Sequence, residues 1–356
     1  MSDKFDIKSL VRENILNLHP YSSARDEYSG SASVFLDANE NPHNAPLNRY
    51  PDPRQLELKK LMARLKEVSI DTLFLGNGSD EGIDLLFRVF CEPGRDNVVI
   101  VDPTYGMYGV CAQINDVERR SVLLKEDFSL DPEAVMKAVD NRTKMIFLCS
   151  PNNPTANILD RKAMLRIVEN VNCMVIVDEA YIDFSKEPGM LSLVPDMENL
   201  VVLQTLSKAW GLAGIRLGMV FAHPEVIGFL SNVKYPYNLN TLTIQVASER
   251  ITETQVSAAW IDSILKERKF LAAQLSAFGF VRRVYPSEAN FLLVKMEAPG
   301  LIYKFLIQRE IIVRDRSSAP LCEGCLRITV GTEDENRMLL DALSDFDQQL
   351  NKKSSQ

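Results

Sequence analysis

A lysine and an arginine eight residues apart are the residues of this chain whose types and spacing most directly suggest chemistry. Lys208 follows Ser207, and Arg216 lies in the glycine-rich stretch that comes next. A lysine amine can bond the carbonyl carbon of an aldehyde as an imine, while a hydroxyl and a guanidinium can bind a phosphate. Pyridoxal phosphate is the common cofactor that carries both groups. A lone lysine is more often simply exposed, so other parts of the chain must support this interpretation.

Two further clusters could serve the same ligand. Residues 76–81 open a predicted helix, where glycine backbone and a helix N-terminus favour an anion. A plain N-cap at Ser79 or Asp80 would give the same pattern. Asp178 ends an apolar run, and a carboxylate there could keep a pyridine nitrogen protonated, although it could equally be a strand-end cap. The Val-Asp-Glu pattern could also hold Mg²⁺, but no P-loop sequence accompanies it.

Polar and aromatic residues after other apolar runs are candidates as well. Asn153 lies in a turn stiffened by two prolines, so its amide could be aimed at a ligand oxygen or could form an ordinary Asx-turn. Tyr105 and Tyr108 could present an aromatic face to a flat ring, or could pack in the core. Arg314 and Arg327 lie in predicted strands, where a guanidinium needs an anionic partner. That partner could be a substrate group or an internal carboxylate.

The elements that must position these residues alternate between apolar runs and amphipathic helical patterns. Strands are predicted at residues 98–101, 145–149, 174–177, 201–203 and 217–221. Helices are predicted at residues 80–90, 131–139 and 161–171. Continuous apolar runs are expected where helices cover both faces of a strand. The alternation therefore favours an α/β domain with a largely parallel sheet, in which ligands bind at the carboxyl ends of the strands.

The pattern changes after about residue 240. A long helix is predicted at residues 255–278, followed by strands at 281–285, 291–294, 311–314 and 326–330 and helices at 301–309 and 333–350. Strands clustered in pairs favour a smaller α+β domain with antiparallel pairing. We therefore predict a large domain over residues 36–245. Residues 1–35, with a helix at 7–18, and residues 246–356 form the predicted small domain.

Composition and charge argue against several classes of protein. The 356 residues carry a formal net charge of −8 with no basic run, so no nucleic-acid or anionic-membrane surface is expected. The charged N-terminus lacks the apolar core of a signal peptide, and the apolar runs are too short to span a bilayer. Six scattered cysteines indicate reduced thiols and a cytoplasmic location. Cys322 and Cys325 form a lone C-x-x-C without further ligands nearby in sequence, so no metal site is expected.

Taken together, these clusters resemble the class I and II aminotransferases of fold type I, over nearly the whole chain. The Ser-Lys…Gly-x-Arg-x-Gly and Asp-Glu-Ala-Tyr blocks mark that superfamily. The Asn-Arg-Tyr-Pro block at residues 48–51 and the Leu-Arg-Ile-Thr-Val-Gly block at 326–331 are narrower, and they resemble the histidinol-phosphate branch. The resemblance implies the fold of pyridoxal-phosphate-dependent transferases. That fold has a large domain with a mostly parallel sheet and a smaller α+β domain.

The resemblance also assigns roles to individual residues. Lys208 would hold the cofactor and later move the proton, and Asp178 would pair with the pyridine nitrogen. Asn153 and Tyr181 would bond the ring hydroxyl oxygen, while Tyr105 would stack on the ring. The cofactor phosphate would be bound by the backbone of Gly78, Ser79 and Asp80, by Ser207 and Arg216, and by Tyr50 of the partner subunit.

The implied activity is reversible amino transfer between L-histidinol phosphate and 2-oxoglutarate, in histidine biosynthesis, by a homodimer with a shared active site. Tyr21, Arg314 and Arg327 would face the substrate, the two arginines suiting its phosphate and the carboxylate of glutamate. An aromatic amino-acid aminotransferase and a threonine-phosphate decarboxylase are the alternatives left open. A non-catalytic regulator on the same fold is a more remote one, because the basic footprint of a DNA binder is missing.

One position departs from the pattern of the family. The family sequence runs Pro-Asn-Asn-Pro-Thr-Gly, and Ala156 stands here in place of the glycine. If the backbone needs a positive φ at this position, alanine should cost about 1 kcal/mol. The path of the loop is then in question, while the role of Asn153 is not.

Overall fold

A mostly parallel sheet forms the centre of the larger part of the molecule. The structure is a computed structural model that describes residues 5–22, 24–27 and 33–354. Within these residues the sheet has seven strands: β1 (Leu73–Asn77), β2 (Asn97–Asp102), β3 (Glu118–Leu123), β4 (Thr143–Cys149), β5 (Met174–Asp178), β6 (Leu200–Thr205) and β7 (Leu217–Phe221). Their order across the sheet is β1-β7-β6-β5-β4-β2-β3, and β7 alone among them runs against its neighbours. The α/β fold with a largely parallel sheet is thereby confirmed.

Helices cover both faces of this sheet, which explains why its strands are continuous apolar runs. In β4, Ile146 and Leu148 belong to one buried cluster, while Met145 and Phe147 belong to the cluster on the opposite face. Successive side chains of a strand point to opposite faces, so a strand covered on both sides is apolar at every position. The α-helices that precede the C-terminal part of the chain are α1 (Ile7–Leu10), α2 (Glu13–Leu16), α3 (Ala24–Glu27), α4 (Leu56–Lys66), α5 (Gly78–Phe90), α6 (Met107–Ile114), α7 (Pro132–Lys137), α8 (Arg161–Asn170), α9 (Pro224–Val233) and α10 (Thr241–Arg250).

A smaller antiparallel sheet follows in the C-terminal part. Its strands are β8 (Val281–Val284), β9 (Phe291–Met296), β10 (Arg314–Asp315) and β11 (Cys325–Thr329), in the order β10-β11-β9-β8. It packs with α11 (Thr254–Leu275), α12 (Pro299–Gln308) and α13 (Glu333–Ser354). Leu292 and Val294 of β9 face these helices, whereas Phe291 and Leu293 join the core of the larger sheet. The antiparallel α+β arrangement predicted here is therefore present.

The sequence prediction did not include β1, α4, α6, α9 or α10. Three further differences have a local reason. The helix predicted at residues 7–18 is two short helices, because Val11 is extended and the Arg12 amide bonds the carbonyl of Val89. Strand β3 was not predicted, because it lies at the sheet edge and is largely polar. The strand predicted at residues 311–314 is paired only at Arg314 and Asp315, because the Ile311 amide still bonds Leu306 at the end of α12.

The described N-terminal segment lies against the larger sheet. Ile7, Leu10 and Val11 are buried in the same cluster as α5 and β4. The Lys144 amine also lies 3.4 Å from the carbonyl oxygen of Leu10. These contacts attach residues 7–12 to the larger layer rather than to the smaller sheet. A search of the described helices finds none with the length and apolar character needed to cross a membrane.

Candidate active site

A cavity of about 380 Å³ opens at the carboxyl edge of the larger sheet, beneath the smaller one. It contains every residue to which the sequence assigned a cofactor or substrate role, except Tyr21 and Tyr50. The residues that line it are Gly78, Ser79, Asp80, Tyr105, Cys149, Asn153, Asp178, Ala180, Tyr181, Thr205, Ser207, Lys208, Arg216, Arg314, Arg316 and Arg327. The predicted clusters thus meet in one place.

Sheet topology explains this convergence. Strands β4, β5 and β6 are parallel and end side by side, at Cys149, Asp178 and Thr205. Strand β7 runs in the opposite direction, so its first residues lie at the same edge where the other strands end. Arg216, which immediately precedes β7, therefore lies at the same edge of the sheet as Lys208, which follows β6.

One corner of the cavity is built to receive an anion. Gly78 begins helix α5 with φ +71°, and its amide bonds the carbonyl of Arg216 at 2.8 Å. A Cβ at Gly78 would lie 2.7 Å from Nη2 of Arg216, and a Cβ at Gly218 would overlap the backbone of Gly78 and Ser79. The first amides of a helix have no partner within the helix and favour an anion. The guanidinium of Arg216 adds a positive charge there, and it is held by Asp80 at 3.2 Å.

The lysine lies on a short turn after β6. The hydroxyl of Thr205 accepts a hydrogen bond from the Ser207 amide at 3.1 Å, which fixes the start of this turn. The Nζ atom of Lys208 lies 5.6 Å from the centre of the Tyr181 ring. Burial lowers the pKa of Lys208, and the positive charge of Arg327 lowers it further. A larger fraction of this amine is consequently neutral and nucleophilic at a given pH than for an exposed lysine.

A buried carboxylate faces the cavity at the end of β5. Asp178 is 3% exposed, and its carboxylate accepts hydrogen bonds from the Tyr108 hydroxyl at 2.5 Å and the Ala180 amide at 3.0 Å. Burial raises the pKa of Asp178, while these two hydrogen bonds oppose that effect. A cationic partner stabilises the ionised form of a buried carboxylate, and a protonated pyridine nitrogen is such a partner.

Tyr108 was recognised in the sequence only as a possible aromatic face. Tyr108 lies in the first turn of α6, three residues after Tyr105, and is fully buried. Its ring stacks on that of Phe147, with ring centres 4.8 Å apart. Its hydrogen bond to Asp178 joins two residues seventy positions apart in the chain. Sequence spacing gave no signal for that contact.

Asn153 and Arg327 connect the two sheets across the cavity. The guanidinium of Arg327 donates to Oδ1 of Asn153 at 2.5 Å and lies 5.3 Å from the centre of the Phe291 ring. The oxygen of the Asn153 amide is thereby occupied, which leaves its Nδ2 as the donor for a ligand oxygen. Tyr181 is also buried on this wall, where burial raises the pKa of its phenol and keeps the hydroxyl a donor.

Tyr21 and Tyr50 lie outside the cavity within the single chain. Tyr21 is 71% exposed, in a separate depression beside Arg54 and Tyr235. Tyr50 is 50% exposed and stacks on Tyr237 with ring centres 4.4 Å apart. Their predicted roles therefore require contacts that one chain does not provide.

Ala156 has the positive φ that normally favours glycine. Its φ is +64°, and its side chain is fully buried. The loop nevertheless keeps its hydrogen bonds, with the Ala156 amide donating to Asn152 at 2.8 Å and the Ala156 carbonyl accepting from Glu288 at 2.7 Å. The alanine is accommodated with strain, and Asn153 still reaches the cavity.

The donors and acceptors of this cavity fit pyridoxal phosphate. The corner presents the first turn of α5 and the Arg216 guanidinium to a phosphate, and the absence of side chains at Gly78 and Gly218 lets these segments pack closely. The buried carboxylate suits a cationic ring nitrogen. Between them lies an amine whose pKa burial has lowered. A search of the described residues finds no group of three or more His, Cys, Asp or Glu that could hold a metal, and Cys322 and Cys325 are buried free thiols.

Comparison with known proteins identifies the family. The sequence pattern described as "Aminotransferase class I and II" matches residues 25–343. The chain is 55% identical over 341 residues to a histidinol-phosphate aminotransferase of Parabacteroides distasonis, covering 96% of this chain and 99% of that one. A protein of the same name from Cytophaga hutchinsonii is 48% identical over 346 residues, with 96% and 99% covered.

Solved structures agree on the fold. The crystal structure of the histidinol-phosphate aminotransferase from Clostridium acetobutylicum superposes with a TM-score of 0.79 at 24% identity, covering 85% of this chain and 92% of that one. The Sinorhizobium meliloti enzyme of that name, in complex with pyridoxal-5'-phosphate, gives 0.77 at 21% identity, with 88% and 90% covered. With a family match over most of its length and relatives near half identity, this chain belongs to the class I and II aminotransferases.

Proposed function

We propose that this protein transfers an amino group between L-histidinol phosphate and 2-oxoglutarate, giving imidazole-acetol phosphate and glutamate, with pyridoxal 5'-phosphate as cofactor. The observation that carries the proposal is the cavity itself. It joins a lysine of lowered pKa, a buried carboxylate and an anion corner to a wall bearing arginines. The relatives at 46–55% identity, which carry the name histidinol-phosphate aminotransferase, support the same substrate.

When bound, pyridoxal phosphate supplies an aldehyde that accepts amino groups reversibly and a ring that withdraws electrons. Lys208 would hold this aldehyde, and its neutral amine could move a proton. Asp178 would keep the ring nitrogen protonated, which would maintain the electron demand of the ring. Asn153 and Tyr181 would donate to the ring hydroxyl oxygen, and Tyr105 would cover one ring face.

The cofactor phosphate would lie in the corner formed by the first turn of α5 and Arg216. Backbone amides of Ser79 and Asp80 offer donors there, together with Ser207 and Arg216. The Gly78 amide, to which the sequence assigned the same role, is already bonded to the carbonyl of Arg216. Such anchoring would hold the ring in one position in the cavity. Holding the reacting atoms in one geometry lowers the barrier without any change in the chemistry of the groups.

A homodimer with a shared active site is part of the proposal. Tyr50 of one subunit would reach the cofactor phosphate of the other, and Tyr21 would face its substrate. Both side chains are exposed in the single chain, so they are available for such contacts. We place the enzyme in the cytoplasm, in histidine biosynthesis. Measurement of the mass in solution tests the dimer, and mixing an inactive Tyr50 variant with an inactive Lys208 variant tests sharing through recovery of activity.

A substrate panel tests the proposed activity. The purified holoenzyme is given L-histidinol phosphate, phenylalanine and threonine phosphate in parallel, each with 2-oxoglutarate, and glutamate is measured. Histidinol phosphate should give the highest kcat/KM by a wide margin. A preference for phenylalanine would identify an aromatic aminotransferase, and release of CO₂ from threonine phosphate would identify a decarboxylase. Either result would refute the substrate.

Lys208→Ala provides the matched test of the cofactor. It should abolish steady-state turnover, and borohydride should no longer fix the cofactor to the protein. In the wild type, borohydride should bleach the yellow colour and leave the label on Lys208. Substantial turnover by the variant would contradict the assignment.

A further inference from the structure

We infer that Arg316 binds the phosphate group of the phosphorylated substrate together with Arg314 and Arg327. This inference rests on the proposed function, because it requires a phosphorylated substrate in the cavity. The sequence had singled out Arg314 and Arg327 alone. Arg316 lines the same cavity as they do.

The pairing of β10 with β11 places the three arginines on one face. Arg314 lies directly opposite Arg327, and Asp315 lies opposite Leu326. The Arg316 amide bonds the carbonyl of Cys325 at 2.9 Å, which continues the ladder by one residue. Because side chains alternate along a strand, Arg316 falls on the same face as Arg314. Leu326 is buried in the core beneath, so the opposite face is the one that meets the cavity.

Among the described residues no carboxylate neutralises the three arginines, although Arg327 donates to Asn153 and lies over the Phe291 ring. Like charges directly opposite each other on neighbouring strands destabilise a sheet. Burial lowers the pKa of Arg316, and the positive charges of Arg327 and Arg314 lower it further. In residues 5–22, 24–27 and 33–354, no carboxylate forms an ion pair with any of the three, and Nε of Arg316 is buried without a hydrogen-bond partner. The cluster is therefore complete only with an anion from outside.

The number of guanidiniums indicates which anion. A carboxylate carries one charge and two oxygens, and one arginine can satisfy it with two parallel hydrogen bonds. A phosphate monoester carries nearly two charges at neutral pH and three acceptor oxygens. Three guanidiniums suit the phosphate better. The phosphate of the cofactor is not the anion in question, because its proposed corner is formed by Gly78 and Arg216 on a different wall.

The test compares Arg316→Gln, which removes the charge, with Arg316→Lys, which keeps it. Arg337→Gln is the matched control, since it removes one positive charge from an exposed site on α13. For each holoenzyme, kcat/KM is measured with L-histidinol phosphate and with L-histidinol, which lacks the phosphate. In Arg316→Gln the preference for the phosphorylated substrate should fall by about ten- to a hundred-fold, the range for one hydrogen bond to a charged group. Arg316→Lys should lose less, and Arg337→Gln should be unchanged.

A second readout does not depend on turnover. The thermal midpoint of each holoenzyme is measured with and without inorganic phosphate, which should stabilise the wild type by binding the cluster. Arg316→Gln should show a smaller phosphate-dependent rise. Without phosphate its midpoint should equal or exceed that of the wild type, because one repelling charge has been removed. A structural role for Arg316 predicts the opposite, a lower midpoint in the absence of phosphate.

The outcomes separate this inference from the proposed function. If the wild type uses histidinol phosphate but Arg316→Gln retains its substrate preference and its response to phosphate, the role of Arg316 is wrong and the function stands. If the wild type does not use histidinol phosphate and Arg316→Gln loses the response to phosphate, the function is wrong and the anion site stands. Equal losses with both substrates would also overturn the inference, since they would place Arg316 outside the binding of phosphate.

Discussion

The hydroxyl of Tyr108 donates a 2.5 Å hydrogen bond to Oδ2 of Asp178, and both side chains are buried. The bond favours the ionised form of a carboxylate whose pKa burial otherwise raises. An ionised Asp178 is what a protonated pyridine nitrogen requires. In the proposed function, where Asp178 pairs with the ring nitrogen, Tyr108 would therefore act on the cofactor through Asp178, as a positioning residue.

Replacing Tyr108 by phenylalanine should lower kcat while leaving KM nearly unchanged. The lost hydrogen bond to a charged group is worth about 1.5 kcal/mol, or roughly ten-fold in rate, if it acts mainly on the ring nitrogen. The ring stack on Phe147 is kept. The affinity for pyridoxal phosphate, from absorbance titration of the apoenzyme, should weaken in parallel. Tyr303→Phe, in the helical layer of the smaller sheet, is the control. An unchanged kcat and cofactor affinity in Tyr108→Phe would rule out this role.

Replacing Gly78 by alanine should weaken cofactor binding more than it weakens the fold. The φ of +71° disfavours alanine by about 1–2 kcal/mol, and the added methyl group meets the Arg216 guanidinium. Displacement of Arg216 should raise the Kd for pyridoxal phosphate at least ten-fold, about 1.4 kcal/mol. Gly228→Ala is the matched control, because a Cβ there meets nothing and the residue lies within α9. It should keep the affinity, and equal Kd values for the two variants would contradict the anion corner.

Glu179 should make stability depend on pH between about 4.5 and 7. It is buried behind the site, where it accepts from the Met190 amide and from Gln204, and burial raises its pKa from 4.5 to about 7. The unfolded chain ionises near 4.5, so the folded state binds more protons between these two values. The contribution to stability is fully present below pH 4.5 and is lost as pH rises through 7. Linkage gives a total of about 3 kcal/mol.

Glu179→Gln isolates this effect. Oε1 of Gln204 is buried and, among described residues, has no hydrogen-bond partner, so its amide can turn and accept from the new carboxamide. The free energy of unfolding, from urea denaturation at pH 5, 6, 7 and 8, should fall with pH in the wild type relative to the variant. Exposed Glu126→Gln should follow the wild type. Parallel profiles for Glu179→Gln and the wild type would show that the carboxyl is not held protonated.

Ala156→Gly should change stability by less than about 1 kcal/mol. Glycine relieves the positive φ, worth about 1 kcal/mol, but it removes a buried methyl group worth about 0.8 kcal/mol. Ala156→Val should destabilise by more than about 2 kcal/mol, because a β-branched residue is strained at this φ and its site is packed. Urea denaturation measures both. Turnover by Ala156→Gly should match the wild type, and a large loss would show that the loop positions Asn153 only with alanine.

The central strands of the larger sheet could be predicted because burial on both faces makes them apolar throughout. Strand β3 could not, since an edge strand exposes polar side chains such as Arg119 and Arg120. The break at Val11 also escaped prediction. It depends on a hydrogen bond from Arg12 to Val89, a contact between distant parts of the chain that helical periodicity does not record.

The candidate site likewise contains residues that could be predicted from the sequence and residues that could not. Lys208, Asp178 and Asn153 each follow an apolar strand, so sequence order alone indicates that they meet. Tyr108 and Arg316 were not assigned roles because their importance comes from partners in other segments, Asp178 for one and Arg327 for the other. Their residue types alone did not show these roles, which depend on the hydrogen bond from Tyr108 to Asp178 and on the pairing of β10 with β11.

Gly218 has a consequence for how much sequence change this site can tolerate. It bears no functional group, yet the backbone of Gly78 and Ser79 passes where its side chain would be. Any other amino acid would push apart the two segments that form the anion corner. In a saturation mutagenesis experiment, position 218 should therefore accept fewer residues than Ser207, although Ser207 carries the functional group. A residue behind the cavity, which contributes only the absence of a side chain, therefore limits sequence change as its polar residues do.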